Sequence, residues 1–302
     1  MQRVCSAPLR QRDSVQAPEK WAALTDVAGS ATLGLLLASL QSGADRSAFE
    51  SEYGAAAQLF DWSVWQNCAA ELGPVLRIPG LFTGDLLQQL EAVLPGYTSP
   101  FPTLFAAPRG TGSGLHIDVG ETHFWMSCVH GRKRWRLVGP ADTPELCPHS
   151  ILELNPRFLR SLDELARDSI GQYPRSVPVF EGELNAGELI FVPAGWAHEV
   201  CNLDHAVAVS ANFVDASNLE RARKALDARG LVCRGALTMS LVMQSSRFTR
   251  VAQEVEYEWK AMADQLPVQS KDFMDWKAQW DIFLSPADAA SLAQSVARDH
   301  TS

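Results

Sequence analysis

The sequence predicts a mainly β fold: a double-sheet jelly-roll barrel with helical segments at both ends. Three observations predict it. Seven short strand-like runs crowd the middle of the chain, each bounded by Gly, Pro or Asn. Ala- and Leu-rich stretches of helical period come before them, and helical periodicity follows them. Many short strands at close spacing need two facing sheets to bury their apolar sides.

Taken in order, residues 1–18 read as a flexible N-terminal arm. Residues 19–95 read as a helical region leading into the core. Within it, Trp21 to Leu59 carries a helical pattern with Ser30 and Asp45 as caps, and Asp85 to Leu94 forms a short amphipathic helix stopped by Pro95. The core spans 96–215. Its strand-like runs are Thr103–Ala107, Leu115–Asp118, Phe124–Val129, Arg134–Val138, Val177–Phe180, Glu188–Val192 and Ala206–Val214, with a helical insertion over 155–168. The architecture is cupin-like. Residues 216–302 form a C-terminal helical region, with helices expected over 217–229, 234–247, 249–265, 270–281 and 286–298.

Composition narrows the function. The 302 residues are 46% hydrophobic and 20% charged, as in ordinary globular proteins. A net charge of -9 argues against nucleic acid as partner and suits a basic protein or peptide. The longest mostly apolar run, Ala31–Leu40, is half of what a membrane helix needs, so no membrane is expected. The six cysteines form no CxxC pair and read as reduced thiols of an intracellular protein, cytoplasmic or nuclear. The opening MQRVCSAPLRQRDS carries Arg and Ser like a transit peptide, but Asp13 counts against one.

LHIDVGETHFWMSCVHGRKRWRLVGP, Leu115 to Pro140, carries the chemistry. His116 and Asp118 share one face of a strand, and two buried polar side chains there need a partner that offsets their desolvation. A metal ion meets the need. The third ligand comes from GELIFVPAGWAH, where a strand and a tight turn deliver His198 opposite the first pair. His-x-Asp alone is common, and a lone His is more often a core residue. Together in a strand-rich frame they form the two-imidazole, one-carboxylate triad that suits non-haem Fe(II), with zinc as the alternative ion. Trp125, Trp135 and Trp196 read as barrel core.

The segments PRGTGSGLHIDVGETHFW, GRKRWRLVGP, GELIFVPAGWAHEVCNLD and SANF resemble the Jumonji-C family of Fe(II)- and 2-oxoglutarate-dependent oxygenases. The branch containing the bifunctional arginine demethylase and lysyl hydroxylase is the most similar. The resemblance covers roughly residues 75 to 215. It implies 2-oxoglutarate as co-substrate, its far carboxylate held by Lys133 with Ser113 and Ser210, and Asn202 near the metal. Strand alternation puts Lys133 out of phase with Arg132 and Arg134, which agrees with an inward lysine. One position departs from the pattern: Met126 stands where the branch has a pocket Asn, and Met donates no hydrogen bond. The resemblance implies hydroxylation of a protein side chain, lysyl or similar. N-methyl-arginine or -lysine demethylation is the alternative, and a non-catalytic metal-binding cupin scaffold is a third reading. The C-terminal helices are candidates for a homodimer contact.

Overall fold

A computed structural model describes residues 5–12, 25–41, 43–76, 78–82, 85–87, 102–146, 158, 160–167, 177–230 and 273–274. In chain order these form β1 (Ser6–Arg12), β2 (Thr25–Thr32), α1 (Leu33–Ser39), α2 (Gly43–Tyr53), β3 (Leu59–Ser63), α3 (Val64–Leu72), β4 (Ile78–Pro79), β5 (Thr103–Ala107), β6 (Gly112–Ile117), β7 (His123–His130) and β8 (Arg132–Val138). Then follow α4 (Leu162–Arg167), β9 (Phe180–Asn185), β10 (Leu189–Val192), β11 (Ala197–Asn202), β12 (Ala206–Phe213), α5 (Leu219–Gly230) and β13 (Phe273–Met274).

The chain divides into two compact units. The first comprises Met1–Cys68, Pro102–Val119 and Phe124–Ala211. It holds the barrel: a sheet of order β10-β7-β12-β5-β3 and a sheet of order β6-β11-β8-β9. The pairs β10–β7, β11–β6, β11–β8, β12–β5, β3–β5 and β8–β9 are antiparallel. Phe124, Met126, Cys128, Trp135, Leu184, Val192 and Ala208 pack together as the interior. Leu115, Ile117, Val138 and Ala197 form a second cluster with Leu162 and Leu165 of α4, so this helix covers one stretch of sheet. Alternation along β8 explains the split: Lys133 and Trp135 are buried, while Arg132 is exposed. The expected jelly-roll core is borne out.

Polar chemistry pins α4. Arg136 donates to Glu199, the residue opposite it on β11, and to Asp163 Oδ1 of α4 at 2.5 Å. The other Glu199 oxygen accepts the Leu162 backbone N–H at 3.1 Å, satisfying a donor that the helix start leaves open.

Several expectations need correction. The stretch expected as a loose arm contains β1, which pairs with β2 from Ser6↔Thr32 to Arg12↔Thr25. Within the region expected to be helical from Trp21, the described residues open with the strand β2, because β1 supplies a ladder for its small residues. The α1 N-cap is Thr32, whose hydroxyl accepts from Leu35 N, rather than Ser30. The strand expected over 177–180 lies instead at Phe180–Asn185, where exposed glutamates conceal the apolar alternation. Cys5 and Cys68 are joined, with Cα atoms 5.8 Å apart, so not all six thiols are free. Cys128 and Cys201 are free.

The second unit comprises Ala69–Phe101, Gly120–His123 and Asn212–Ser302. Asp85 Oδ1 accepts backbone N–H groups from Leu87 and Val214, and Phe82 packs on Phe213 with centroids 5.3 Å apart. Asn218 Nδ2 donates to the Glu121 carbonyl, and Arg221 pairs with Glu121 at 2.6 Å. The helix expected over 217–229 is α5, Leu219–Gly230. Phe273–Met274, placed in an expected helix, is a strand paired with β4. The helix expected over 85–94 lies outside the described residues beyond Leu87, and the helices expected over 234–247, 249–265 and 286–298 lie outside them altogether. Among the described residues no helix is long and apolar enough to cross a membrane.

Candidate metal centre

His116 sits near the end of β6, Asp118 just beyond it, and His198 near the start of β11. The β6–β11 ladder pairs His198 directly with His116. A bulge then shifts the register, so Val200 faces Ser113. Bulges re-aim side chains beside functional sites. Gly112 permits this one: a Cβ there would lie 1.9 Å from the Val200 carbonyl oxygen.

The two imidazole rings are 4.3 Å apart. Asp118 offers Oδ1 to His116 Nε2 at 3.6 Å and Oδ2 to His198 Nε2 at 3.8 Å. All three ligand atoms lie within 4.8 Å of one another. The Nδ1 atoms are spoken for by backbone carbonyls: Gly114 at 2.7 Å for His116 and Trp196 at 3.2 Å for His198. A carbonyl accepts only from N–H, so Nδ1 is a donor in both rings, and in the neutral tautomer Nε2 is the nitrogen with the lone pair. His198 is fully buried, and burial together with neighbouring His116 pushes its pKa down to about 4. It stays neutral at pH 7. Two imidazole Nε2 atoms and a carboxylate therefore converge, a donor set that fits a divalent cation. Trp135 stacks on His198, with centroids 5.6 Å apart, and walls one side of the site.

The buried strand face continues past the triad to Lys133. Register places Asn202 opposite Lys133, and Lys133 Nζ donates to Asn202 Oδ1 at 2.7 Å. Burial pushes the lysine pKa down to about 8. Among the described residues no carboxylate pairs with this ammonium, although it is only 4% exposed. The indole N–H of buried Trp135 also lacks an acceptor among the described residues. Two buried donors without an anionic partner fit a ligand carboxylate. Ser210 lies in β12, its hydroxyl 3.3 Å from that of Thr103. Ser113 is half-buried opposite Val200. Met126 is packed into the apolar interior. One polar residue escaped the sequence reading: Thr111, whose hydroxyl accepts from Asn202 Nδ2 at 2.9 Å.

The family's sequence profile, described as a cupin-like domain, matches residues 15–218. The chain belongs to the cupin-like family. This cupin-like protein is 29% identical over 164 residues to the 2-oxoglutarate and iron-dependent oxygenase JMJD4 of Mus musculus, covering 53% of this chain and 37% of that protein. It is 32% identical over 165 residues to the arginine-specific demethylase JMJ22 of Arabidopsis thaliana, covering 50% and 30%. It is 26% identical over 148 residues to the bifunctional arginine demethylase and lysyl-hydroxylase psr-1 of Caenorhabditis elegans, covering 47% and 36%. The match spans roughly a third of the length of each relative. The resemblance to the Jumonji-C oxygenases is borne out.

Proposed function

We propose that this cupin-like protein is an Fe(II)- and 2-oxoglutarate-dependent oxygenase that hydroxylates a protein side chain. The convergence of His116 Nε2, His198 Nε2 and the Asp118 carboxylate on one point carries the reading. Two imidazoles and one carboxylate leave coordination positions open, which distinguishes an oxygenase site from a closed structural one. Iron with 2-oxoglutarate would supply the chemistry that splits O2, one oxygen atom going into a substrate C–H bond and the other into succinate as 2-oxoglutarate loses CO2.

The chain's own residues bind and orient. Lys133 holds the far carboxylate of 2-oxoglutarate, with the Ser113 and Ser210 hydroxyls as its further partners, and Asn202 supports the lysine. Asn202 lies four residues beyond His198, about 13 Å along the strand at 3.3 Å per residue. The stacked Trp135 keeps water from one side of His198. A cavity of about 550 Å³, bordered by Trp135, Leu137 and Phe180 and by the carboxylates Glu181, Glu183 and Glu188, suits a basic substrate side chain. Phe180 and Trp196, 5.5 Å apart, offer apolar surface near it.

The net charge of -9 favours a basic peptide. N-methyl-arginine or -lysine demethylation through the same site is a second reading, and the names of psr-1 and JMJ22 support its arginine form. The apolar Met126 supports a third, a metal-binding scaffold without turnover. Succinate formation from 2-oxoglutarate, with His116→Ala as control, tests the proposal. Turnover in the parent alone supports it, and equal turnover in both rejects it. Peptide products gaining one oxygen indicate hydroxylation, and released formaldehyde indicates demethylation.

A further inference from the structure

A hydrogen-bond relay starts at the loop between β5 and β6 and ends at the buried lysine. The Thr111 hydroxyl donates to the Pro108 carbonyl at 2.6 Å. Its single proton is thereby committed, so toward Asn202 it acts only as acceptor. Asn202 Nδ2 donates to it at 2.9 Å. The amide orientation follows: with Nδ2 turned to Thr111, the carbonyl Oδ1 faces Lys133, where it accepts from Nζ at 2.7 Å. The relay is built in from both sides. Asn202 N donates to the Thr111 carbonyl at 2.8 Å, and Gly110 N donates to the Asn202 carbonyl at 2.8 Å. Asn202 is 2% exposed and Lys133 4%.

We propose that Thr111 and Asn202 are positioning residues, a polarity relay that holds the Lys133 ammonium by a neutral oxygen and leaves its charge for the far carboxylate of the co-substrate. The inference rests on the oxygenase reading of the same site and assigns Asn202 to the lysine. An ammonium has three N–H donors, and Asn202 uses one. A neutral acceptor fixes the direction of the other two without neutralising the charge. A carboxylate at 202 would neutralise it. A flipped amide would turn its NH2 toward the ammonium and push it away.

The test is equilibrium binding of 2-oxoglutarate to the Mn(II)-loaded protein by calorimetry, with pyruvate, which lacks the far carboxylate, as a second probe. Three proteins are compared: the parent, Thr111→Val and Asn202→Asp. Asn202→Asp is expected to weaken 2-oxoglutarate about a hundredfold, because an internal counter-ion displaces the far carboxylate. Thr111→Val, which keeps the shape and removes the acceptor, is expected to weaken it about tenfold. Pyruvate binding is expected to be unchanged in both, which separates loss of the relay from general damage. Unchanged 2-oxoglutarate affinity in Asn202→Asp, or equal losses for both probes, overturns the relay while leaving the co-substrate reading in place. Failure of the parent to bind 2-oxoglutarate overturns that reading and the relay with it.

Discussion

Replacing Lys133 by Met has two opposite consequences. The gap between an ordinary lysine at 10.5 and about 8 for Lys133 is worth roughly 3 kcal/mol, the penalty of keeping the buried ammonium charged. Met fills similar space and removes that penalty. It also strands Asn202 Oδ1, the acceptor of the lost bond, at about 2 kcal/mol. At pH 7 the variant should therefore be about 1 kcal/mol more stable than the parent. Between pH 8 and 10.5 the unfolded parent holds more protons than the folded parent, so the parent gains stability as pH rises. The variant has no such group. By pH 10.5 the order should reverse, with the variant about 2 kcal/mol less stable. Urea denaturation of both proteins at steps of pH reads the difference. A stability difference that stays constant from pH 7 to 10.5 would refute the picture of an under-neutralised buried cation. The same variant should lose 2-oxoglutarate binding, so the lysine serves ligand binding at the expense of stability.

Other consequences follow from the same contacts. Gly112→Ala should destabilise by about 3 kcal/mol and weaken metal binding, because the new Cβ would collide with the Val200 carbonyl at the bulge that aligns the two histidines; denaturation and metal titration check both. Glu199→Ala should cost about 3–5 kcal/mol, since it removes a partner of buried Arg136 and the acceptor for Leu162 N; a Tm that barely moves would argue against the clamp. Restoring a pocket amide with Met126→Asn should destabilise by about 1–3 kcal/mol, because Met126 packs among Phe124, Trp135 and Val192; a calorimetric scan reads the loss.

The barrel was legible in the sequence because period-two alternation and Gly/Pro punctuation are local signals. The runs at 103–107 and 206–214 match their strands to within a residue. The β1–β2 pair was not legible: its small residues mimic a helix, and only the partner strand, many residues away, decides. Exposed β9 carries too little apolar alternation to be located from sequence. His116 and Asp118 stood out because their i, i+2 spacing lies in one strand. Asn202 was flagged, but its partnership with Lys133 arises from the β8–β11 register, a non-local property. Thr111 gave no signal beyond its place in a Gly-rich turn. The Arg136–Glu199 pair is likewise visible only once the strands are side by side.

Whether one divalent ion sits among His116, Asp118 and His198 is decided by anomalous diffraction at the iron edge, from crystals grown anaerobically with Fe(II). A single strong peak equidistant from the two Nε2 atoms and the Asp118 carboxylate is the predicted result. A peak elsewhere, or none at this point with iron bound in solution, would contradict it.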